Sequence, residues 1–481
     1  MFRGFYSLLD IDQQLLVRIV MFFYRHNISH ITTTELRMQL NISTYQANFA
    51  CQQLHEIGAG DDHFDFTYDK EAGLTLAGVT TQTIEFLTVL LAKKSLTLKV
   101  LLNGSLGIGG SRANFLKNYG VSQSTYYRIR HKMSENIKVD FPIVQISNEI
   151  EARAILQHIT FFFFASGEFP FNEYREQITD TLNFVTRNWN LDLTNSERKE
   201  VTYFMAVQLF RIKNRRKILT AKDDLLLPPT DLKFQRAQKY LQKNWELTEE
   251  QAYHEAMIFN TYLIVYDDSL HNKQALLKRD PEIEQLTEQQ LHFTEAQLHI
   301  KDCRREFPEF YCYLRKINVK SLSPFFFINT YIDAATISGL KHSYPLINVL
   351  ASHFVKLRRK IQDPQISETS SLQLYYHYSL LLLTAIPNSA YNDQIHIVAD
   401  FSTGRIFTRY IQQQLKKMTE ANIVIDTKLD NGTDLYLSDK YDVSVKNDQI
   451  TWNCPPTSQD WNALKSVVIQ KRMQKNKEVQ N

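Results

Sequence analysis

Glycine is scarce in this chain, at 14 of 481 residues, about 3% against a usual ~7%. That scarcity excludes collagen-like sequence and any architecture built on several glycine-rich nucleotide loops. Catalytic signatures are missing too: there is no His-Glu-x-x-His, no Gly-x-Ser-x-Gly, no Walker loop and no dinucleotide fingerprint. The one glycine cluster, Gly104-Ser-Leu-Gly-Ile-Gly-Gly110, follows a helical pattern rather than a strand and lacks a Lys-Ser/Thr, so it reads as a loop between helices. The four cysteines, Cys51, Cys303, Cys312 and Cys454, contain no Cys-x-x-Cys pair. Zinc ribbons and thioredoxin chemistry are therefore not expected, and the thiols read as reduced. Long apolar runs are absent, since 159–165 and 380–386 fall far short of the ~20 residues of a membrane span. Asp10 and Asp12 stand where a secretory signal would continue its apolar core. The expectation is a soluble, cytoplasmic protein with no membrane partner, metal or cofactor.

A large charge of one sign is missing as well: 55 Lys and Arg against 52 Asp and Glu give +3. Any surface for a polyanion must be local. What the chain does have is length and globular composition, 43% hydrophobic and 22% charged, enough for three to five domains of the usual size. Short helical segments fill residues 1–146. Long-helix patterns follow at 148–266 and 280–387, and strands alternate with helices from 393 onward. In the first long-helix zone Phe171, Tyr174, Ile178, Leu182, Val185 and Trp189 recur at helical spacing, and Val201, Met205, Leu209 and Ile212 form a second stripe after Thr194-Asn-Ser-Glu197. Pro228-Pro-Thr-Asp231 breaks the chain, and Thr248 with Gln251 has capping-box spacing. Asp280-Pro281 opens the next zone, where Ile347, Leu350, Phe354, Leu357 and Ile361 make one stripe and Leu372, Tyr376, Leu380 and Leu383 another. The last zone reads strand 395–399, helix to Met418, strand 423–425, two short strands at 434–437 and 450–452, and a helix at 459–470. Alternation of this kind implies a parallel sheet. The basic tail 465–481 is expected to be frayed.

The strongest local signal lies at 111–130. A helix ends at Tyr119, Gly120 supplies a φ > 0 turn, Val121 plugs the core and Ser122 caps a second helix. This is helix-turn-helix grammar. Gln123, Ser124, Thr125 and Tyr127, with Ser122, are candidate contacts to base edges or phosphates, and Arg128, Arg130, His131 and Lys132 give a cationic flank. Arg112 and Lys117 add to it, so that 112–138 holds six Lys/Arg against one Glu. The alternative is an ordinary helical hairpin with a solvated basic face. A second candidate precedes it: helix, turn at Asn41, and a helix from Ser43 bearing Thr44, Tyr45, Gln46 and Asn48, with 61–81 as a wing-like hairpin. Residues 1–60 carry four Arg and four acids, and 61–71 five acids against Lys70. Because phosphate attraction dominates affinity, this site is either an auxiliary DNA contact or structural packing.

With these residues in view, the chain resembles the Mga/AtxA-type virulence regulators, across essentially its whole length. The most specific stretches are Gly120-Val-Ser-Gln-Ser-Thr-Tyr-Tyr-Arg128 and Asn148-Glu-Ile-Glu-Ala-Arg-Ala-Ile-Leu156. Among these regulators it looks most like a global regulator of the enterococcal type. The resemblance implies a mainly α multidomain chain. Its parts would be an N-terminal winged helix-turn-helix module (1–82), a second helix-turn-helix module (83–147), and two all-helical phosphotransferase-regulation domains (PRDs, 148–270 and 271–390). An EIIB-like α/β domain with a small parallel sheet (391–481) would complete it. It further implies a non-enzymatic transcription regulator that binds promoter DNA, dimerises or assembles further through its C-terminal part, and answers to phosphocarrier proteins of the sugar phosphotransferase system. With few base readers exposed, bendable AT-rich sites are the expected targets.

The resemblance also brings departures. Where the first PRD should carry a phosphorylated histidine, this chain has Lys213-Asn-Arg-Arg-Lys217; in the second, His377 is the best match and His353 the next, although by themselves these two, like His158, His254 and His271, read as ordinary helix-surface or core histidines. The EIIB phosphocysteine should follow the first strand, but Val398-Ala-Asp-Phe-Ser-Thr-Gly404 contains none. Two further readings stay open: a phosphotransfer component of a sugar-uptake cascade, against which that missing cysteine counts, and a helical scaffold that binds protein.

Overall fold

The computed structural model describes residues 5–61, 63–140, 149–167, 169–216, 232–266, 281–323, 326, 334–361, 368–391, 393–418 and 422–480. The chain is mainly helical, with twenty α-helices among the described residues, and divides into two compact units, Met1–Lys278 and Arg279–Asn481. Among the described residues no helix is long and apolar enough to cross a membrane.

In the first unit a 3-10 turn at Phe5–Leu8 precedes α1 (Ile11–His26), β1 (His30–Ile31), α2 (Thr33–Leu40), α3 (Thr44–Gly60), β2 (Asp65–Asp69) and β3 (Gly73–Ala77). Polar side chains start these helices, and the expected turn at Asn41 and helix start at Ser43 are both present. Thr32 and Glu35 exchange hydrogen bonds at the head of α2, Ser43 and Gln46 at the head of α3, and Asn27 and Asn41 close α1 and α2 in the left-handed conformation. The strands form an antiparallel sheet in the order β1-β3-β2, with Thr75 facing both His30 and Thr67. Next come α4 (Thr81–Lys94), α5 (Leu96–Leu106), α6 (Arg112–Tyr119) and α7 (Gln123–Asp140). Gly104 and Ser105 complete the last turn of α5 rather than beginning a loop, so the loop is confined to the stretch after Leu106.

The remainder of this unit is α8 (Glu149–Phe164), α9 (Arg175–Trp189), α10 (Asn195–Lys213), α11 (Leu232–Asn244) and α12 (Glu249–Tyr266). Ile178, Leu182, Val185 and Trp189 are buried as their spacing demands, but Phe171 and Tyr174 precede α9, Tyr174 closing a 3-10 turn. On α10 the four-residue stripe understates the burial. Tyr203, Phe204, Ala206, Val207 and Phe210 are covered as well, because α8, α9 and α12 pack on this helix from several sides. Thr248 and Gln251 do exchange capping hydrogen bonds at 3.3 Å. The break at 228–231 and His271 lie outside the described residues.

The second unit holds α13 (Pro281–Leu298), α14 (Cys303–Glu306), α15 (Pro308–Leu322), α16 (Ala334–Ser343), α17 (Pro345–Ile361) and α18 (Glu368–Ala385). Ile347, Leu350, Phe354 and Leu357 of α17 enter the core. On α18 the expected face is wrong. Leu374, Tyr375, Tyr378, Leu381 and Leu382 are buried, Leu372, Tyr376 and Leu383 only partly so, and Leu380 is exposed. This helix is apolar nearly all round, so periodicity alone does not select the buried side. Asn318 fixes that side, donating to Thr287 and Gln290 at 2.9 and 2.8 Å and accepting from the Tyr378 hydroxyl at 2.7 Å.

The C-terminal elements are β4 (Ile395–Asp400), α19 (Arg405–Lys417), β5 (Ile423–Asp426), β6 (Leu435–Ser438), β7 (Gln449–Thr451) and α20 (Ser458–Gln480). The four strands pair in parallel in the order β5-β4-β6-β7, with Ile397 opposite both Ile425 and Leu435. Ile395, Ile397, Ile411, Leu415, Leu437, Trp452, Leu464 and Val468 fill the core between sheet and helices. The basic tail, expected to fray, instead continues α20 to Gln480. Its cations explain why. Arg472 is buried and pairs with the buried Asp393 at 2.7 Å, and Lys475 reaches Asp434 at 2.5 Å.

Candidate nucleic-acid interface

The two N-terminal groups of helices differ in charge before any geometry is considered. Residues 1–82 carry five Lys/Arg against nine Asp/Glu, whereas 83–138 carry nine against two. A phosphate backbone is attracted to the second group and repelled by the first.

In that second group Ser111 accepts from the Asn114 amide to start α6, and Gly120, at φ 62°, ends it. Ser122 then accepts from the Thr125 amide at 3.1 Å, so α7 begins immediately beyond the turn. The turn is pinned by Phe115 and Tyr126, both buried, whose rings meet edge to face at 5.6 Å. Tyr126 also donates to Asn103 Oδ1 at 3.0 Å. Val121, the expected plug, is only half-buried; Tyr126 takes that role.

With Tyr126 and Met133 fixing the buried side of α7, helical geometry assigns the opposite side. Ser124, Tyr127, Arg128, His131 and Lys132 fall there, and each is exposed. Ser122 and Gln123 are exposed at the helix start, and Thr125 is half-buried. Arg130 is exposed but sits on the flank nearer α5: a methyl group on Gly104 would come within 3.4 Å of its Nε. From α6, exposed Arg112 donates to the Tyr127 hydroxyl and lies 5.4 Å from that ring, so α6 adds its charge beside the first turns of α7. Lys117 is exposed on the same helix.

Ser43, Thr44, Tyr45, Gln46 and Asn48 of the first group are all exposed at the head of α3. The hairpin lies beside them, with the Tyr68 hydroxyl donating to Asn48 at 3.2 Å. That hairpin brings Asp65, Asp69 and Glu71 into the neighbourhood, and backbone hydrogen bonds from Ala72 and Glu71 hold the Asp69 carboxyl below its ordinary range. The face is also apolar: Tyr45 stacks on Phe49 at 6.2 Å, and Tyr45 and Met38 are 77% and 63% exposed.

The two candidate histidines belong to the second unit. His377 is half-buried on α18 and accepts at Nε2 from the Gln373 amide at 3.0 Å. Burial, helped by Lys320, pushes its pKa down to about 4. His353 lies flat on Phe293 at 3.6 Å, its pKa lowered by burial and then by Lys356 and Lys360. Both are therefore neutral imidazoles at pH 7, the nucleophilic form. Because His377 has a depressed folded pKa, its stabilising effect is complete above the unfolded value of ~6.5 and is lost as pH falls toward about 4. Thermal melts between pH 7 and 4 are expected to show a steeper acid loss for the native chain than for His377→Gln; equal slopes would contradict this.

The stretch 398–404, at the end of β4 and in the loop after it, holds no cysteine and places Ser402 beside Asp439. The Ser402 amide donates to Asp439 at 2.8 Å and the hydroxyl donates to the same carboxylate. Those two bonds hold Asp439 below the usual carboxylate range, so the loop carries a fixed negative charge. No family model matches the chain, and no curated protein matches it.

Proposed function

We propose that the chain is a DNA-binding transcription regulator of the Mga/AtxA type, with α6 and α7 as its helix-turn-helix and α7 as the helix that enters the major groove. The observation that carries this reading is the side of α7 opposite Tyr126, where Ser124, Tyr127, Arg128, His131 and Lys132 stand exposed behind a Gly120 turn. A helix presenting hydroxyls, an aromatic and cations on one face, fixed from behind by a buried ring, suits phosphate positioning with limited base readout. Residues 1–77 would form a winged helix-turn-helix, the helices of 149–266 and 281–385 the two PRDs, and 395–480 an EIIB-like module that mediates self-association. The reading includes no catalytic step. At the EIIB position the Asp439 carboxylate would repel an incoming phosphoryl group, which counts against the phosphotransfer alternative.

Phosphorylation of His377 or His353 would add about two negative charges to a helix face and tie the regulator to sugar-phosphotransferase carriers. For the first N-terminal group a second reading is favoured by its acidic hairpin and by exposed Met38, Tyr45 and Phe49: contact with protein instead of DNA.

Fluorescence anisotropy with an AT-rich, promoter-length duplex at two salt concentrations tests the proposal. Affinity is expected to fall steeply with salt, with a log–log slope of about −0.9 for each phosphate neutralised. Absence of salt-sensitive binding would leave the scaffold reading.

A further inference from the structure

Helix α5, which lies against α7, is held at both ends by side chains from distant parts of the chain. At its start the Asp10 carboxylate, from the head of α1, accepts from the amides of Leu96 and Thr97 at 2.9 and 3.0 Å and from the Thr97 hydroxyl at 2.5 Å. Its own Ser95 cap covers the Leu98 amide. At its end Arg211, from α10, donates to the Ser105 carbonyl at 2.8 Å, and Asn214 donates to the Leu106 carbonyl at 2.6 Å. An anion at the N-terminus and a cation at the C-terminus both complement the helix dipole, and here each comes from a different flanking group of helices.

The C-terminal hold is built for close approach. Gly107 has φ 70°, and a methyl group there would lie 2.4 Å from Asn214 Oδ1. Arg211 is itself gripped by Glu149, Nε to Oε1 at 2.7 Å, and Glu149 also accepts from buried Arg153 at 3.0 Å. From the same last turns of α5 the path continues to α7. Asn103 donates to the carbonyls of Ile108 and Gly110 at 3.0 and 2.9 Å, and its Oδ1 accepts the Tyr126 hydroxyl. A methyl group on Gly104 would come within 3.2 Å of that hydroxyl, so α5 and α7 touch with no slack.

We infer that Asp10, Arg211 and Asn214 are positioning residues for α7, and that the helices of 149–266 set DNA affinity by gripping the C-terminal end of α5. This rests on the reading of α7 as the DNA-contacting helix. Arg211 is shared between Ser105 and Glu149, so whatever draws Glu149 away loosens the hold on α5 and, through Asn103, on Tyr126.

The test uses the full chain with Asn214→Ala, Arg211→Lys and Asp10→Asn. Asn214 is exposed, so its alanine variant keeps the fold even if the Arg211 variant does not. Three readouts are needed: anisotropy at two salt concentrations, amide hydrogen exchange, and the melting midpoint. Asn214→Ala is expected to weaken duplex binding about five- to tenfold, within the usual range of coupling between sites. The salt slope and the melting midpoint stay unchanged, and exchange quickens in α5's last turn and in the first turns of α7. Removing a group that neutralises a phosphate would flatten the slope, and a general loss of stability would lower the midpoint. Arg211→Lys keeps the charge but loses the fork, and should fall between Asn214→Ala and the native chain. Native affinity in folded Asn214→Ala, or unaltered exchange in α7, overturns the inference. If the native chain binds no duplex, the reading of α7 fails on its own, and exchange in α7 still decides whether these residues position it.

Discussion

Replacing Arg128 and Arg130 together by alanine is expected to lower affinity for every duplex sequence by roughly 10- to 100-fold at low salt, and to flatten the salt slope by about one unit for each phosphate no longer neutralised. The two arginines are not equal. Arg128 stands on the side of α7 opposite buried Tyr126, where a groove-facing helix meets the backbone, while Arg130 lies on the flank over Gly104. Arg128→Ala alone should therefore account for most of the loss. Neither side chain is buried, so the variants keep their fold, and a native melting curve beside abolished binding separates a DNA-facing role from stability. Full affinity in the folded double variant would remove α7 as the DNA-contacting helix and move attention to α3. Equal single-residue losses would instead show that Arg130 swings away from α5 when DNA is bound.

The largest expected effect on stability lies at Arg153. Its guanidinium is fully buried and makes five hydrogen bonds. It donates to Glu149 at 3.0 Å, to both oxygens of Glu255 at 2.9 and 2.7 Å, to Gln208 at 2.6 Å and to the Arg216 carbonyl at 2.9 Å. Glu255 is equally buried, so removing the cation strands a carboxylate with no water to receive it. Arg153→Met should cost about 3–5 kcal/mol, the usual penalty for breaking a buried pair from one side. Circular-dichroism melts would register this as a fall of about 10 °C or more. Adding Glu255→Leu to the same chain should restore much of the loss, because an apolar pair of similar volume is often no worse than the ions. A double variant as unstable as the single would show that Glu149, Gln208 and Arg216 also depend on the guanidinium.

The parts of this molecule that sequence foretells are those governed by neighbours in the chain. The turns at Asn41 and Gly120, the helix starts at Ser43 and Ser122, and the β4–α19–β5 succession depend on local conformational preference and on alternation over a few residues. Where every side of a helix is apolar, as on α18, periodicity has nothing to measure, and the buried side follows from a remote group, Asn318 bonding Tyr378. The basic tail misleads for a related reason. Five cations in a terminal stretch look solvated until Asp393 and Asp434, far back in the chain, come to meet Arg472 and Lys475. At the candidate interface, the exposed face of α7 is legible as a pattern, but the grip on α5 is not. Asp10 and Leu96 stand 86 residues apart, and Arg211 and Ser105 stand 106 apart. No local signal marks either partner.

The Arg472–Asp393 pair has a consequence for how the C-terminal sheet can be inherited. Arg472 donates to Asp393, just ahead of β4, and also to the Ser343 carbonyl at the end of α16, while the Tyr391 hydroxyl donates back to Leu382 on α18. A cut at residue 390 would strip a buried carboxylate's partner of its second anchor and leave the Leu382 carbonyl without its donor. The parallel sheet is therefore not a cassette that recombination can exchange between relatives at its apparent edge. An exchange that preserves folding has to carry the α13–α18 helices with it, so the two parts are expected to change together over evolutionary time.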